Sequence, residues 1–216
     1  MPYNATNFIG QFVTILSVNK TRRLDGRIAL IFVGWVRLRP FFFLRGICMN
    51  QKVRNLIYAG MIAALYAALT HAQNMLLPGS ASMAIQFRAS EALCVLAFFT
   101  PAAIPGLTVG CLIFNLTSGM ALPLDFLLGS LATLLAAWAM YLTRKVTVKG
   151  LPLLGILMPA VTNAVLVGAE LSLYIGGGFW INALYVAIGE AAVLLTLGTA
   201  LYYALLARGL HNRLFA

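Results

Sequence analysis

The sequence predicts an all-α integral membrane protein with six transmembrane helices. Of its 216 residues, 62% are hydrophobic and 9% are charged, and its mean hydropathy is +0.92. This composition excludes a soluble globular domain. Apolar runs of about 18 residues or more recur, each long enough to cross a hydrocarbon core of about 30 Å. The runs lack the alternating pattern of an outer-membrane barrel, so helices are the expected spanning elements.

Residues 1–48 are predicted to form a separate basic extension, and residues 49–216 the membrane domain. The extension holds seven of the fifteen Lys and Arg residues, and its apolar run at 28–36 is too short to span. No small-residue cleavage site follows that run, which argues against a signal peptide. A surface-associated segment and a tail without a functional role both stay open. Because Met49 directly precedes the first helix, a start assigned too far upstream is a third interpretation.

Proline and glycine clusters and the basic residues predict the topology. The expected spans are about 53–72, 83–100, 107–119, 123–143, 151–174 and 179–207, with turns at 101–106 and 175–178. Basic residues cluster before the first helix, at 144–149 and at the C-terminus. All three clusters share the cytoplasmic side only if four helices precede Arg144. Both termini are therefore expected in the cytoplasm, and the helices in the cell membrane.

The first predicted helix carries two adjacent rows of small residues, each with a spacing of four. In a membrane such residues let helix backbones approach closely. Packing within the chain and docking onto another membrane subunit both explain the rows, and both stay open. The rows are Ala59, Ala63 and Ala67, and Gly60, Ala64 and Ala68.

Asparagine and glutamate repeat in the last two predicted helices. Asn163 and Glu170 are seven residues apart, and Asn182 and Glu190 are eight apart. Since 3.6 residues make one turn, each pair shares one helical face. Tyr185 lies near Asn182 and is predicted either to stack on a planar ligand or to anchor at the membrane interface. These faces are expected to line a binding cavity that is reached from outside.

Arg88 and Glu91 add charge to this predicted cavity. Their spacing of three residues predicts a helical ion pair, while Asp125 is expected at the positive N-terminus of a helix. Glu91, Glu170 and Glu190 then face one membrane cation, and each buried charge costs about 2.5 to 3.5 kcal/mol on insertion scales. Either a glutamate is protonated in the ligand-free protein, or a cationic or donor-rich ligand completes the pairing. Structural contacts between helices are the alternative.

Several function classes are excluded or weakened by what the sequence lacks. It has no phosphate-binding Gly-x-x-x-x-Gly-Lys loop and no His-Glu-x-x-His motif, and its two histidines lie near predicted helix ends. Three cysteines without metal-ligand spacing predict no metal site. We therefore expect no enzyme, no cofactor and no nucleic-acid partner, and the net charge of +10 reflects cytoplasmic flanks. A stand-alone secondary transporter, with Glu190 as its proton carrier, stays open, and an intramembrane enzyme is disfavoured.

Three groups of residues carry a resemblance to a known family. They are Arg88-Ala-Ser-Glu-Ala-Leu93 with Phe98-Phe-Thr-Pro-Ala-Ala-Ile-Pro-Gly106, Pro123-Leu-Asp125 with Gly129-Ser-Leu-Ala-Thr133, and Phe179-Trp-Ile-Asn-Ala-Leu-Tyr185 with Gly189-Glu190. In composition and order they resemble the QueT family, the substrate-binding S components of energy-coupling-factor (ECF) transporters. The resemblance covers about residues 49–216.

The resemblance implies an S-component-like bundle in the lipid membrane that binds a queuosine precursor from outside, namely the aminomethyl-deazaguanine base. The implied partners are a transmembrane scaffold subunit and two ATPase subunits, and the small-residue rows fit the docking motif of S components. An S component for another vitamin is the alternative. A guanine-like edge offers adjacent N–H donors to a carboxylate, and asparagine can match a neighbouring carbonyl. We expect Glu170 or Glu190 to contact this edge and another of the three glutamates to hold the amine.

Overall fold

The fold is that of a helical bundle. A computed structural model describes residues 50–78, 80, 87–119, 122–148 and 150–207. Its elements are α1 (Gln51–Leu76), a 3₁₀ helix (Ala89–Phe98), α2 (Ala103–Thr117), α3 (Asp125–Thr143), α4 (Met158–Tyr174), α5 (Phe179–Val193) and α6 (Thr199–Ala207). The single helical turn Leu153–Ile156 precedes α4, and the π-helical segment Leu194–Gly198 joins α5 to α6.

Because α5, the π-helical segment and α6 form one continuous rod, the described part of the chain contains six helices, as predicted. The extension at 1–48 and the basic C-terminal residues Arg208 and Arg213 lie outside the described residues. The described helices thus confirm the all-helical fold class.

Four helical rods are long and apolar enough to cross a membrane. They are Gln51–Leu76, Asp125–Thr143, Leu153–Tyr174 and Phe179–Ala207. Large apolar side chains on their outer faces, such as Leu65 and Trp138, are exposed, as expected for surfaces that contact lipid tails. The chain is therefore a multi-pass membrane protein.

The described helices at the second and third predicted spans are shorter than the thickness of a hydrocarbon core. The second was predicted as a spanning helix at about 83–100, but the described helix is a 3₁₀ helix of 10 residues, and residues 81–86 lie outside the described ranges. At about 2.0 Å per residue this helix covers only about 20 Å. The third, α2, has 15 residues and covers about 22 Å at 1.5 Å per residue. Neither matches a hydrocarbon core of about 30 Å.

The turn between these two helices is also shorter than predicted. It was expected at 101–106, yet α2 already begins at Ala103. Pro105 and Gly106 therefore belong to the first turn of α2. Proline is tolerated there because the first amides of a helix have no intrahelical acceptor.

The row Ala59, Ala63 and Ala67 packs within the chain, against α2. A Cβ added at Gly106 would lie 2.8 Å from the Ala59 carbonyl oxygen, and one at Gly110 would lie 2.8 Å from that of Ala63. Ala63 and Ala67 are buried accordingly. Intramolecular packing thus accounts for this row, because the two backbones touch where α2 lacks side chains.

The second row has a different environment. Gly60, Ala64 and Ala68 are exposed, and no atom lies within 4 Å of the position that a Cβ on Gly60 would take. This row is the one that the described part of the chain leaves uncovered.

A glycine turn joins α4 to α5, as predicted. Gly176, Gly177 and Gly178 have φ angles of 85°, 84° and 85°, in the left-handed region that only glycine enters without strain. Beyond the turn the two helices touch, since a Cβ on Gly168 would lie 2.8 Å from the Ala183 Cα. The turn and this contact place the polar faces of α4 and α5 side by side.

Candidate functional site

Arg88 and Glu91 bind different partners, so the predicted ion pair between them is wrong. Arg88 Nη2 lies 3.5 Å from Asp125 Oδ2, whereas Glu91 accepts bonds of 2.5 Å from the Tyr66 hydroxyl and 3.1 Å from the Cys94 thiol. Arg88 caps the 3₁₀ helix in an extended conformation, with φ −104° and ψ 100°. Its side chain therefore leaves before the first helical turn, and the α-helical spacing rule does not apply.

Asp125 is the first residue of α3, as predicted, but it is also the ion-pair partner of Arg88. Both side chains are buried. Asn115 donates a hydrogen bond of 2.7 Å to the Asp125 carbonyl. One turn further along α3, a Cβ on Gly129 would lie 2.8 Å from Asn115 Nδ2 and 2.9 Å from Asp125 Oδ1. Glycine at 129 thus makes room for the polar groups of α2, α3 and the 3₁₀ helix to meet.

Asn163, Glu170 and Glu190 are buried without hydrogen bonds from the described residues. Their relative exposures are 1%, 0% and 0%. Both carboxylate oxygens of each glutamate, and both amide atoms of Asn163, have no hydrogen-bond partner in the described ranges. Polar atoms in that condition cost about 1 to 3 kcal/mol each in protein interiors. Within the described ranges, these groups are the strongest structural indication of a ligand-binding site.

The two glutamates have different electrostatic neighbours. The Glu190 carboxylate lies within electrostatic range of Glu91 and Arg88 and is also influenced by the Asn163 side chain, although no hydrogen bond of normal geometry joins Glu190 to Asn163. Glu170 is acted on by Asp125 and Arg88 and lies close to the Leu124 backbone, at the N-terminus of α3. We call the eight residues Tyr66, Arg88, Glu91, Asn115, Asp125, Asn163, Glu170 and Glu190 the carboxylate cluster.

Negative charge exceeds positive charge in the carboxylate cluster. Among the described residues, the buried charged side chains are Arg88 and four carboxylates, Glu91, Asp125, Glu170 and Glu190. Asp125 already pairs with Arg88. The imbalance is therefore larger than the sequence suggested, because the prediction counted only the three glutamates.

Asn182 and Tyr185 are not members of the carboxylate cluster, although the sequence placed them at the predicted binding cavity. The Asn182 amide donates bonds of 2.8 Å to the Gly176 carbonyl and 3.2 Å to the Ser172 hydroxyl, so it closes the turn between α4 and α5. Tyr185 is 43% exposed, off the buried face of α5 that carries Asn182 and Glu190. Trp180, 82% exposed, is suited to interfacial anchoring.

Sequence reasoning missed Tyr66, Cys94 and Asn115. Tyr66 was not singled out because the small residues around it in α1 suggested only helix packing. Asn115 is a single amide in an otherwise apolar helix. A polar residue in a membrane helix is costly and therefore informative, so Asn115 could have been found. The described residues include no group of three His, Cys, Asp or Glu side chains that could hold a metal ion.

Comparison with protein families decides the class of this protein. The QueT transporter family matches residues 56–207, more than two thirds of the 216 residues. The chain belongs to the QueT transporter family. No significant match to a curated protein or to a solved structure was found.

The resemblance predicted from the sequence is thereby confirmed. Every residue of the carboxylate cluster lies inside the QueT region. Membership of a transporter family implies a small-molecule substrate and a non-enzymatic function. The buried polar atoms of the cluster are thus found in a member of a membrane transporter family.

Proposed function

We propose that this QueT protein is the substrate-binding S component of an ECF-type importer and that it binds a queuosine precursor from outside. The observation that supports this most directly is the set of buried polar atoms on Asn163, Glu170 and Glu190 without partners among the described residues. A bound ligand that satisfies them would recover the free energy lost by their burial.

The chemistry of the cluster suits an aminomethyl-deazaguanine base. A guanine-like edge presents adjacent N–H donors, which a carboxylate accepts at two points. The ligand's ammonium group supplies positive charge to a cluster in which four carboxylates face Arg88. A neutral, donor-poor solute would satisfy neither requirement.

The exposed row Gly60, Ala64 and Ala68 is the proposed docking surface for the scaffold subunit, which carries the two ATPases. Small residues allow the close helix contact on which association in lipid depends. The other row already packs on α2, which leaves this face of α1 for a partner.

Both termini are proposed to lie in the cytoplasm of the cell, with Asp125 and Glu170 towards the outside.

Ligand-induced thermal stabilisation of the purified protein tests the binding proposal. We expect stabilisation by deazaguanines and none by flavin, thiamine or biotin. Glu170→Gln and Glu190→Gln should each reduce it, because each removes a charged acceptor. If the ligand raised the melting temperature of both variants as much as that of the wild type, the proposed site would be wrong.

Copurification with the scaffold and ATPase subunits tests the partner proposal. Ala64→Leu should weaken copurification and leave ligand binding intact, since Ala64 is exposed. Leu69→Ala is the matched control, because Leu69 is an exposed residue of α1 outside the row. If the chain alone moved solute across liposomes under an ion gradient, a secondary transporter would be supported instead.

A further inference from the structure

The carboxylate cluster has two ends of different chemical character. At one end Glu190 has Glu91 and Arg88 as its charged neighbours and Asn163 as its polar neighbour from α4. At the other end Glu170 lies beside the Arg88–Asp125 ion pair and the N-terminus of α3. Arg88 acts on both glutamates, but its ion pair is with Asp125 at the Glu170 end. The Glu190 end therefore keeps the larger excess of negative charge.

Side chains of the protein donate hydrogen bonds to Glu91, whereas none of the described residues donates one to Glu190. Tyr66 donates to Oε1 of Glu91 and Cys94 donates to Oε2, so both Glu91 oxygens already have donors. Neither oxygen of Glu190 has a partner in the described part of the chain. Two neighbouring buried carboxylates repel each other, and a cation beside them relieves that repulsion. The Glu190 carboxylate is thus suited to accept hydrogen bonds from a compact cation, with Glu91 as a fixed second negative charge.

Glu170 has surroundings that favour neutral donors. The charge of the nearby Asp125 is offset by Arg88 at 3.5 Å, and the partial positive charge at the N-terminus of α3 lies on the same side. These features reduce the attraction for a second cation. Both Glu170 carboxylate oxygens lack a partner among the residues that the structure describes, and they match a pair of parallel N–H donors.

We propose that the ammonium group of the ligand binds at Glu190, beside Glu91 and Asn163, and that the neutral N–H edge of the base binds at Glu170. The assignment rests on the proposed function, in which the ligand is a deazaguanine carrying an aminomethyl group. It makes Glu190 and Glu91 the residues that select for the amine. Glu170 then determines affinity for the base whatever its substituent.

The test compares two ligands on the purified full-length protein: aminomethyl-deazaguanine and methyl-deazaguanine, which lacks the ammonium group. The wild type should prefer the amine by about tenfold to a hundredfold, the range expected for a charged hydrogen bond. Glu190→Gln should reduce that preference to within about threefold and change the affinity for the methyl analogue little. Glu170→Gln should weaken both ligands by a similar factor and keep the preference.

Two further variants guard against an effect of misfolding. Glu91→Gln should also reduce the preference for the amine, so the assignment does not depend on one substitution. Tyr202→Phe, a change in the aromatic core around Phe98, should leave both affinities unchanged. Thermal unfolding of each variant without ligand identifies any that fails to fold.

The outcomes separate the two levels of the proposal. If the wild type binds neither deazaguanine, the proposed function fails and the assignment fails with it. If the wild type binds both ligands but the preference disappears in Glu170→Gln and persists in Glu190→Gln and Glu91→Gln, the ligand lies the other way round. The assignment is then overturned while the proposed function stands.

Discussion

The Tyr66 hydroxyl donates a hydrogen bond of 2.5 Å to Oε1 of Glu91, and this bond ties α1 to the carboxylate cluster. One turn later on α1, Thr70 donates to the Ser90 hydroxyl at 2.7 Å. Both bonds are buried and connect α1 to the 3₁₀ helix. The helix that carries the proposed docking row is thus directly bonded to the helix that carries Glu91.

Tyr66→Phe should weaken binding of the amine ligand by about tenfold and destabilise the protein by about 1.5 to 3 kcal/mol, the range for hydrogen bonds to charged groups. Without the hydroxyl, Oε1 of Glu91 loses its donor and the carboxylate is no longer fixed beside Glu190. Titration calorimetry and thermal unfolding measure the two effects. Tyr202→Phe is the matched control, and equal behaviour of the two variants would show that Tyr66 has no positioning role.

Breaking the Arg88–Asp125 ion pair from one side should be more harmful than removing it entirely. Arg88→Gln or Asp125→Asn alone leaves a buried charge without its partner at 3.5 Å, which typically costs about 3 to 5 kcal/mol. The double variant removes both charges and should be more stable than the sum of the single losses predicts. Unfolding free energies of the four proteins in detergent provide the measurement. Strict additivity would mean that the two residues do not interact energetically.

Asn163→Leu should stabilise the ligand-free protein and weaken ligand binding. Both amide atoms of Asn163 are buried without partners among the described residues, so an apolar side chain of similar volume removes a cost of about 1 to 3 kcal/mol. The melting temperature should rise while the affinity falls, as is common where a binding site is built at the expense of stability. A variant that loses stability instead would assign Asn163 a structural role.

Asn182→Ala should show the opposite behaviour. Its amide holds the Gly176 carbonyl and the Ser172 hydroxyl, so the variant should lose about 1 to 2 kcal/mol of stability. The same melting and binding measurements apply. An unchanged affinity would limit Asn182 to the turn, whereas a marked loss would support the binding role that its position in the sequence predicts.

Gly110→Ala should push α1 away from α2. The added Cβ would lie 2.8 Å from the Ala63 carbonyl and 2.8 Å from the Tyr66 Cβ, and overpacking of this kind costs about 1 to 3 kcal/mol. Because Tyr66 would move with α1, ligand affinity should fall as well. Gly60→Ala, with no atom within 4 Å, is the control and should be neutral or slightly stabilising. Equal melting temperatures for the two variants would contradict the close contact.

Composition and spacing alone were sufficient for the membrane class, the helical fold and the order of six helices. These properties follow from local physics. An apolar segment in lipid must form hydrogen bonds between its own backbone N–H and C=O groups, which favours a helix, and proline and glycine interrupt that helix. The pairs Asn163 with Glu170 and Asn182 with Glu190 were correctly placed on the buried faces of α4 and α5, because helical periodicity is fixed by backbone geometry.

Which side chains meet was decided by the tertiary structure. Periodicity placed Arg88 near Glu91, yet the extended backbone at Arg88 and the approach of α3 gave it Asp125 instead. From the sequence, Asn163 and Asn182 were predicted to have the same role. The packing of α4 on α5 instead places Asn163 in the carboxylate cluster and Asn182 at the glycine turn. Spacing along a chain reports neighbours within one helix, whereas a binding site is made of contacts between helices, which depend on how their backbones approach.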